Sequence, residues 1–394
     1  MQSTSLYQYK YYDYRYEYDY VFTGAGAAGL SLLMRMLLSG KFRNKTFLLV
    51  DKDRKDQNDR TWCFWERGKG LFDEIVYKSW DDVWFHGQGF SKKFRISPYR
   101  YKMIRGIDFY NHCINYIKQQ ENVMILFEPI KRIINKDSYA ALELENGEGY
   151  YAKEFMFNSI LFEEPPKDDK TQTLLQHFKG WFIETEEPFF DPSASTLMDF
   201  RVSQERGTTF VYTMPIDERK ALIEYTLFSE SLLDNEVYEQ GLHDYIRDFL
   251  KPGNYTITEK EFGVIPMTNH RFPAGEGRVV NIGMAGGQTK SSSGYTFQFI
   301  QRHSAEMLES MLVHGTPRTQ LTHSGRFRFY DNVLLDVLTH KELSGAQVFT
   351  RLFRRNSAQR IFRFLDNDTM MVEELLLIGS LPTLPFLRAA RRVL

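Results

Sequence analysis

The chain has 394 residues, which exceeds the usual size of a single hydrophobic core and predicts two lobes, or one lobe with a large insertion. With 42% hydrophobic and 15% aromatic residues, its composition is that of a folded globular protein and excludes a disordered one. The 50 Lys and Arg residues balance 51 Asp and Glu residues, so the overall charge gives no indication of a nucleic-acid partner.

The cysteines and the N-terminus indicate a cytoplasmic protein. Cys63 and Cys113 are too few for a disulfide framework and lack the spacing of a zinc site, so we expect no metal and a reducing compartment. Eight of the fourteen positions from Tyr7 to Tyr20 are tyrosine, which is unlike the apolar core of a signal peptide. The sequence has no run of about 18 apolar residues, which excludes a spanning helix but leaves surface attachment to a bilayer open.

The first predicted elements form a strand, turn, helix and strand. Tyrosines alternate with polar residues over Tyr14–Tyr20, which is strand periodicity. The glycine turn Gly24–Gly29 and a helix over Leu30–Leu38 follow. A second apolar strand, Thr46–Val50, leads to Asp51, which lies 22 residues beyond the last glycine of the turn. This order and spacing are typical of a Rossmann-type βαβ unit.

Each glycine of this turn has its own role in binding a dinucleotide. Gly24 permits the tight turn, Gly26 lets backbone N–H groups approach a pyrophosphate, and Gly29 lets helix and strand pack closely. The helix N-terminus faces the phosphates, and Asp51 has the separation expected of a carboxylate that binds a ribose hydroxyl. A glycine-rich turn without a ligand is the alternative. The place of the unit before a long chain favours FAD over NAD, although the fingerprint does not separate them.

The middle of the chain first continues the nucleotide-binding domain, with a helix over Arg105–Gln120, a strand over Val123–Ile134 and a hairpin turning at Asn146-Gly147. Breaks at 165–170 and 252–254 then bound a different segment. Consecutive strand-like stretches there predict an antiparallel sheet on the substrate side. These stretches are Gly180–Glu184, Ser195–Val202, Thr208–Met214 and Lys220–Phe228.

A second glycine-rich loop follows a strand that ends at Gly283 and precedes a helix from about Ser293 to Leu312. The backbone amides of Gly283, Gly286 and Gly287 can approach a ligand without obstruction by side chains, which predicts a second contact with the dinucleotide. A plain structural turn is the alternative.

These elements predict an α/β fold with three parts. Residues 18–165 and 255–315 form a discontinuous Rossmann-type FAD-binding domain. Residues 166–254 form an inserted antiparallel β-sheet domain on the substrate side. Residues 316–394 form a helical C-terminal region that is a candidate for membrane contact.

Several longer strings resemble the lycopene β-cyclase family of carotenoid biosynthesis. They are far more specific than the glycine fingerprint and follow the family's order over residues 18 to about 300. The strings are Val21–Leu30, Arg60–Glu66, Thr196–Arg201, Leu222–Thr226, Gly283–Phe297 and, near the C-terminus, Arg363–Asp366. The resemblance implies that the linear ψ ends of lycopene and related linear carotenoids become β-ionone rings, giving γ-carotene and then β-carotene. It implies reduced FAD, NAD(P)H as its reductant, and no net electron transfer.

The resemblance implies that Glu224, in Leu-Ile-Glu-Tyr-Thr, is the catalytic acid/base. A carboxyl in an apolar cavity would have a raised pKa and stay protonated. The strand pattern alone instead favours an outward-facing glutamate. Asp199 is predicted as a second catalytic carboxylate that orients Glu224 or shares its proton, and a salt bridge to Arg201 is the alternative.

Other side chains are candidates for binding the cofactor or stabilising a carbocation. Arg60 and Arg105 are predicted to contact the FAD pyrophosphate, with surface solvation as the alternative. The faces of Trp62, Phe64 or Trp65 would assist the anionic flavin in stabilising a cation, with core packing as the alternative. A flavin-dependent reductase or monooxygenase acting on a prenyl lipid stays open as a second function.

A hydrocarbon substrate of about forty carbons, as the resemblance implies, has to come from a membrane, so an apolar approach surface is expected. The segment Arg351–Leu365 has five arginines among apolar residues and no acidic residue. This pattern is typical of an amphipathic helix on anionic lipid, which predicts peripheral attachment to the inner face of the plasma membrane. A helix packed on its own domain with a basic outer face is the alternative.

Overall fold

A computed structural model describes residues 16–162, 165–166, 171–318 and 325–394. The strands form three sheets. In chain order they are β1 (Tyr16–Thr23), β2 (Phe47–Asp51), β3 (Thr61–Arg67), β4 (Lys78–Trp80), β5 (Asp82–Gly87), β6 (Phe90–Arg95), β7 (Tyr99–Arg105), β8 (Val123–Phe127), β9 (Ile130–Asn135), β10 (Ala140–Leu144), β11 (Gly149–Asn158), β12 (Thr173–Thr185), β13 (Ala194–Asp199), β14 (Thr208–Pro215), β15 (Lys220–Ser229), β16 (Tyr255–Thr268), β17 (Gly275–Glu276) and β18 (Val279–Asn281).

The helices flank the sheets and make up the C-terminal region. In chain order they are α1 (Ala27–Leu38), α2 (Gly106–Lys118), α3 (Asn235–Tyr245), α4 (Phe297–His314), α5 (Gly325–Thr339), α6 (Gly345–Arg355), α7 (Ala358–Leu365), α8 (Met371–Ile378) and α9 (Thr383–Val393).

The first sheet has the order β17-β18-β11-β1-β2-β8, and β10 and β9 extend it from β11. β1 pairs in parallel with β2 on one side and with β11 on the other. The strand order therefore extends from β1 to both sides, and open α/β sheets bind ligands at the carboxyl ends of the strands at such a point. Helix α1 is rich in Ala, Leu and Met, which favour helix, and most of its residues are buried.

The second sheet has the order β16-β12-β15-β14-β13-β5-β6. All its neighbouring strands are antiparallel except β13 and β5, which are parallel. One face packs on α3 through Ile223, Tyr225 and Tyr238, and we call it the α3 face. The opposite face, which includes Tyr212 and Leu222, packs on the C-terminal helices and on β3 and β7, and we call it the inner face.

The third sheet, β3-β7-β4, joins the other two. Alternate side chains of β3 point to opposite sides, as strand geometry requires. Phe64 packs in the core around α1, α2 and α4, whereas Trp65 packs in the core at the inner face. Strand β3 therefore contributes side chains to the hydrophobic cores on both of its sides.

The predicted amphipathic segment Arg351–Leu365 is two helices, α6 and α7. Their apolar residues Phe353, Ile361 and Phe362 are buried in the inner-face core. The apolar side of this segment therefore packs on the protein, because the sheet offers a larger apolar surface than solvent does. This corrects the prediction of a lipid-facing helix there in favour of its alternative.

The last two helices instead expose apolar side chains. Met371, Val372, Leu375, Leu384 and Leu387 are each more than half exposed. We call this set the C-terminal apolar surface. An exposed group of large apolar residues is informative, because soluble proteins normally keep such patches small.

Two elements differ from their predicted bounds. The predicted strand Val123–Ile134 is two strands, β8 and β9, separated at Pro129, which lacks a backbone N–H for a ladder. The helix predicted from about Ser293 begins at Phe297, because Gly294, with a φ of +70°, forms a turn before it. Strands β5, β6 and β16 also extend the seven-stranded sheet beyond the range 166–254 expected for it.

Two predicted features lie outside the described residues, namely the tyrosine-rich stretch up to Tyr14 and the charged segment 167–170. Among the residues that the structure does describe, none of the helices is both long and apolar enough to cross a membrane.

Candidate active site

The glycine turn after β1 leaves space beside the N-terminus of α1. Gly24 has a φ of +100°, in the region that favours glycine. A Cβ on Gly29 would lie 2.1 Å from the carbonyl oxygen of Gly24, so the close packing requires glycine. At Gly26, a Cβ would have no heavy atom of the described residues within 4 Å, and no side chain among them caps the helix. An uncapped helix N-terminus beside open space fits a phosphate group.

Asp51 lies at the carboxyl end of β2, next to this turn. Its Oδ2 accepts a hydrogen bond from the backbone N–H of Ala25 at 2.6 Å, and its Oδ1 accepts one from the N–H of Asp53 at 2.8 Å. The Nζ of Lys55 lies 3.7 Å from Oδ2. The carboxylate therefore ties the end of β2 to the glycine turn. Its contact with a ribose hydroxyl stays a prediction.

The second glycine loop packs against the first. Gly283 has a φ of +62°, and a Cβ there would lie 2.9 Å from the Cβ of Ala28 in the first turn of α1. Gly286 allows a tight turn, since a Cβ there would lie 2.4 Å from the carbonyl oxygen of Asn281. Gly287 has a φ of +70°. The structure thus brings together the two glycine loops that the sequence singled out.

Arg60 and Arg105 lie at the start of β3 and the end of β7, where each pairs with an acidic neighbour. Nη2 of Arg60 lies 2.6 Å from Oδ2 of Asp59. Nε of Arg105 lies 2.7 Å from Oδ2 of Asp108, and its guanidinium lies 4.1 Å from the ring centroid of Tyr77. These local partners account for both positions, and contact with a pyrophosphate stays a prediction.

The segment after the second glycine loop runs from the first sheet to the inner face. Lys290 is buried there and its Nζ lies 2.7 Å from Oδ1 of Asp331. A Cβ on Gly294 would lie 2.2 Å from Oε1 of Gln176 on β12. Tyr295 follows and lies near Glu224. One loop therefore contacts both α1 and the neighbourhood of the predicted catalytic glutamate.

Glu224 lies in the middle of β15 and points to the inner face. Its register partners are Gly180 on β12 and Tyr212 on β14. Residues directly opposite each other in a sheet point to the same side, and Tyr212 belongs to the inner-face core. Glu224 is half-buried, and its Oε1 accepts a hydrogen bond from the hydroxyl of Thr226 at 2.7 Å.

A second carboxyl lies in the same row of the sheet. Glu261 on β16 is also a register partner of Gly180 and is 6% exposed. Its Oε2 accepts a hydrogen bond from the hydroxyl of Thr61 at 2.8 Å. Its buried Oε1 has no hydrogen-bond partner in the part of the chain that the structure describes. The sequence did not single out Glu261, because the residues around it resemble those of an exposed strand.

The environment of the two carboxyls favours their protonated forms. Burial and, to a lesser extent, the neighbouring Glu261 raise the pKa of Glu224 to about 8, against the hydrogen bond from Thr226. Burial likewise raises the pKa of Glu261 to about 7. Over residues 16–162, 165–166, 171–318 and 325–394, neither carboxyl forms an ion pair that would stabilise its charge. These surroundings therefore favour the protonated form of Glu224 at neutral pH.

The side chains around the pair are themselves neutral. Burial raises the pKa of the Cys63 thiol and of the hydroxyls of Tyr101, Tyr212 and Tyr295. These groups therefore keep their protons at physiological pH, and the pair lies among aromatic and sulfur-containing side chains. Such surroundings exclude water and strengthen electrostatic effects on a bound molecule.

Asp199 lies on the α3 face, away from Glu224. Its register partner is Val211, which packs in the core at that face. Its carboxylate lies 2.5 Å from Nη2 of Arg201 and accepts a hydrogen bond from the hydroxyl of Tyr245 at 2.9 Å. Asp199 is therefore not placed to orient Glu224 or share its proton, because alternate positions of a strand point to opposite faces. The salt bridge, which was the alternative, is formed.

The three aromatic residues of β3 pack in the two cores. The ring centroid of Trp62 lies 5.7 Å from that of Phe297, and that of Phe64 lies 4.5 Å from the same ring. Trp65 stacks on Phe362 with centroids 4.7 Å apart. Core packing accounts for all three positions.

Nearly the whole sequence matches a family model. The family is described as "Lycopene cyclase protein", and its model matches residues 19–391. Lycopene beta-cyclase of Paracoccus sp. (strain N81106 / MBIC 01143) is 33% identical over 101 residues, which are 25% of this chain and 25% of that protein. The chain thus aligns with about a quarter of the length of this curated relative.

Solved structures share the fold over nearly the whole chain. A flavoprotein/dehydrogenase from Cytophaga hutchinsonii has a TM-score of 0.60 at 12% identity, covering 96% of this chain and 98% of that one. Klebsiella pneumoniae HpxO, solved with FAD and uric acid, has a TM-score of 0.59 at 12% identity, covering 90% and 96%. A geranylgeranyl bacteriochlorophyll reductase-like protein from Thermoplasma acidophilum has a TM-score of 0.56 at 12% identity, covering 95% and 96%. The predicted α/β fold class is confirmed.

Proposed function

This chain belongs to the lycopene cyclase family, and from that premise we propose that it is a lycopene β-cyclase with Glu224 as its acid catalyst. One observation supports the proposal most strongly. A glutamate without an ion pair among the described residues lies on an aromatic, buried face, next to a loop that also contacts the N-terminus of α1. This is the environment that a carboxyl needs to protonate an alkene.

The proposed reaction adds one proton to the substrate, forms one carbon–carbon single bond from a double bond and removes one proton. The Glu224 carboxyl gives its proton to the terminal double bond of the ψ end, and a tertiary carbocation forms. A neighbouring double bond supplies the electron pair of the new ring bond, so the positive charge moves into the ring. A proton then leaves the adjacent ring carbon and returns to a carboxylate. Product and substrate have the same atoms and electrons, so the net reaction is an isomerisation.

The residues of the two glycine loops fit FAD. Gly24, Gly26 and Gly29 would admit its pyrophosphate at the N-terminus of α1, and the loop from Gly283 to Gly287 would cover it from the other side. A reduced flavin bound there would supply negative charge that stabilises a carbocation. NAD(P)H is the proposed reductant, and a linear carotenoid such as lycopene is the proposed substrate.

The C-terminal apolar surface is the proposed membrane contact, in place of Arg351–Leu365. Its apolar side chains are exposed, and Arg388 and Arg391 are exposed on the same helix as Leu384 and Leu387. Apolar residues beside arginines suit a bilayer with anionic lipids, where a carotenoid dissolves. Replacing Leu384 and Leu387 with glutamate would reduce flotation with anionic vesicles roughly tenfold or more. Unchanged flotation of this variant would assign membrane contact elsewhere.

Pigment analysis tests the proposed function. The chain is expressed in a bacterium engineered to accumulate lycopene, beside an empty vector, and pigments are separated by chromatography. Conversion of red lycopene to orange γ-carotene and β-carotene is the expected result. Unchanged lycopene together with reduced or hydroxylated lipids would contradict cyclisation and favour a flavin-dependent oxidoreductase acting on a prenyl lipid.

A further inference from the structure

Glu224 and Glu261 lie on one row of the sheet with a glycine between them. Both are register partners of Gly180, Glu224 on β15 and Glu261 on β16. Strands are about 4.8 Å apart, so the α carbons of the two glutamates are roughly 10 Å apart. Both side chains point to the inner face, because residues directly opposite one another share a side of the sheet.

Gly180 provides the room that the side chain of Glu261 occupies beside β15. A Cβ at this position would lie 2.8 Å from Cγ and 3.0 Å from Oε1 of Glu261, and 3.0 Å from Cδ1 of Leu222. The side chain of Glu261 therefore lies over the glycine, toward β15. The φ of Gly180 is outside the left-handed region, so backbone conformation does not require glycine here. The close approach of Glu261 does.

The carboxyl groups of Glu224 and Glu261 accept few hydrogen bonds from the described residues. One oxygen of each carboxyl accepts a bond from a threonine, Thr226 for Glu224 and Thr61 for Glu261. The buried Oε1 of Glu261 has no partner among the described residues, so it is free to accept or carry a proton. A carboxylate near a second carboxyl, with no cation beside it, raises the pKa of that carboxyl.

We propose that Glu261 is a positioning residue for Glu224: the two carboxyls meet over Gly180, retain at least one proton between them, and so keep Glu224 protonated. This inference rests on the proposed cyclase function for its chemical meaning. When Glu224 gives its proton to the substrate, the pair loses one proton. The proton released from the ring carbon returns to the pair, so the pair regains its original proton count.

Other titratable groups near the pair do not replace Glu261 in this role. Four of these groups lie on β3, β7, β14 and the loop before α4, and they keep their protons because burial raises their pKa. They are Cys63, Tyr101, Tyr212 and Tyr295. The remaining acidic neighbours, Asp59 and Glu259, affect the pKa of Glu261 less than burial does.

The test compares Glu261→Gln with Glu259→Gln, an exposed glutamate on the same strand. For the flavin-loaded enzyme, kcat is measured against pH. Activity should fall as pH rises through the pKa of Glu224, which gives the alkaline limb of the pH profile. Removing the Glu261 carboxyl lowers the pKa of Glu224, so this limb should shift to lower pH by about one unit or more. Glu259→Gln should leave the limb in place. If Glu261→Gln lowers kcat by the same factor at every pH and the alkaline limb of the pH profile stays where it is in the wild type, the proposal is wrong.

A second measurement separates this inference from the proposed function. Infrared spectroscopy follows the carbonyl band of protonated carboxyl groups during a pH titration without substrate. The band that Glu224→Gln removes is assigned to Glu224. We expect this band to disappear at lower pH in Glu261→Gln than in the wild type. Disappearance at the same pH in both proteins would contradict the pairing even if the enzyme cyclises lycopene. If Glu261→Gln does not fold, Glu261→Leu gives the same comparison, because it also removes the neighbouring charge.

Discussion

The two faces of the seven-stranded sheet hold carboxyl groups in opposite situations. On the α3 face, Asp199 is fully buried and is bound by the guanidinium of Arg201 and the hydroxyl of Tyr245. On the inner face, Glu224 has a threonine hydroxyl and a second carboxyl as neighbours. The comparison teaches that burial alone does not produce an acid catalyst. A nearby cation stabilises the charged form of a carboxyl, whereas another carboxyl stabilises the neutral form.

The largest expected difference between the two faces is in activity. Glu224→Gln removes the proposed proton donor and should lower kcat for lycopene cyclisation by about 10²-fold to 10⁴-fold, the usual contribution of general acid catalysis. Asp199→Asn should keep most of the activity of correctly folded enzyme. Both are measured as product formed per flavin-loaded enzyme. Full activity in Glu224→Gln, or a larger loss in Asp199→Asn, would reverse the assignment of the two faces.

The next difference is in stability. Asp199→Asn leaves the guanidinium of Arg201 without its partner and should lower the free energy of unfolding by about 3 kcal/mol. We expect the low end of the range for broken buried pairs, because Arg201 is partly exposed. Urea unfolding measures this change. A Thr196→Ser variant on the same strand is the control and should change stability far less. An Asp199→Asn protein as stable as the wild type would mean that the salt bridge does not stabilise the α3 face.

How far the sequence predicts the molecule differs between the two halves of the site. The half that contains the first glycine turn was predicted closely, because its strand, glycine turn, helix and acid follow one another within residues 16–51 and each has a local signal. Gly283 was also found from its loop. Contact between the two glycine loops depends on the parallel pairing of β11 with β1 and β18, which sequence patterns do not specify.

The inner-face half depends on strand register, which the sequence leaves open. Glu261 lies beyond the predicted boundary at 252–254, and only the pairing of β16 with β12 brings it to Gly180. Asp199 was predicted to act with Glu224 because paired acids can share a proton. The register between β13 and β14 shifts before Asp199, and a shift of one residue reverses the face of a side chain.

The central claim is that Glu224 is neutral in the folded protein at neutral pH. A carboxyl whose pKa is raised on folding stabilises the native state fully below its unfolded pKa, and this contribution is lost as pH rises through the folded pKa. For Glu224 that window extends from its unfolded value of 4.5 to about 8. Between these two pKa values the expected slope is about 1.4 kcal/mol per pH unit.

The most direct measurement is therefore the free energy of unfolding of the wild type and of Glu224→Gln at intervals from pH 5 to pH 8. The account predicts that the wild type loses stability relative to the variant as pH rises across this range. Parallel curves, or a wild type that gains stability relative to Glu224→Gln, would show that the Glu224 carboxyl is already ionised and would contradict its role as the acid.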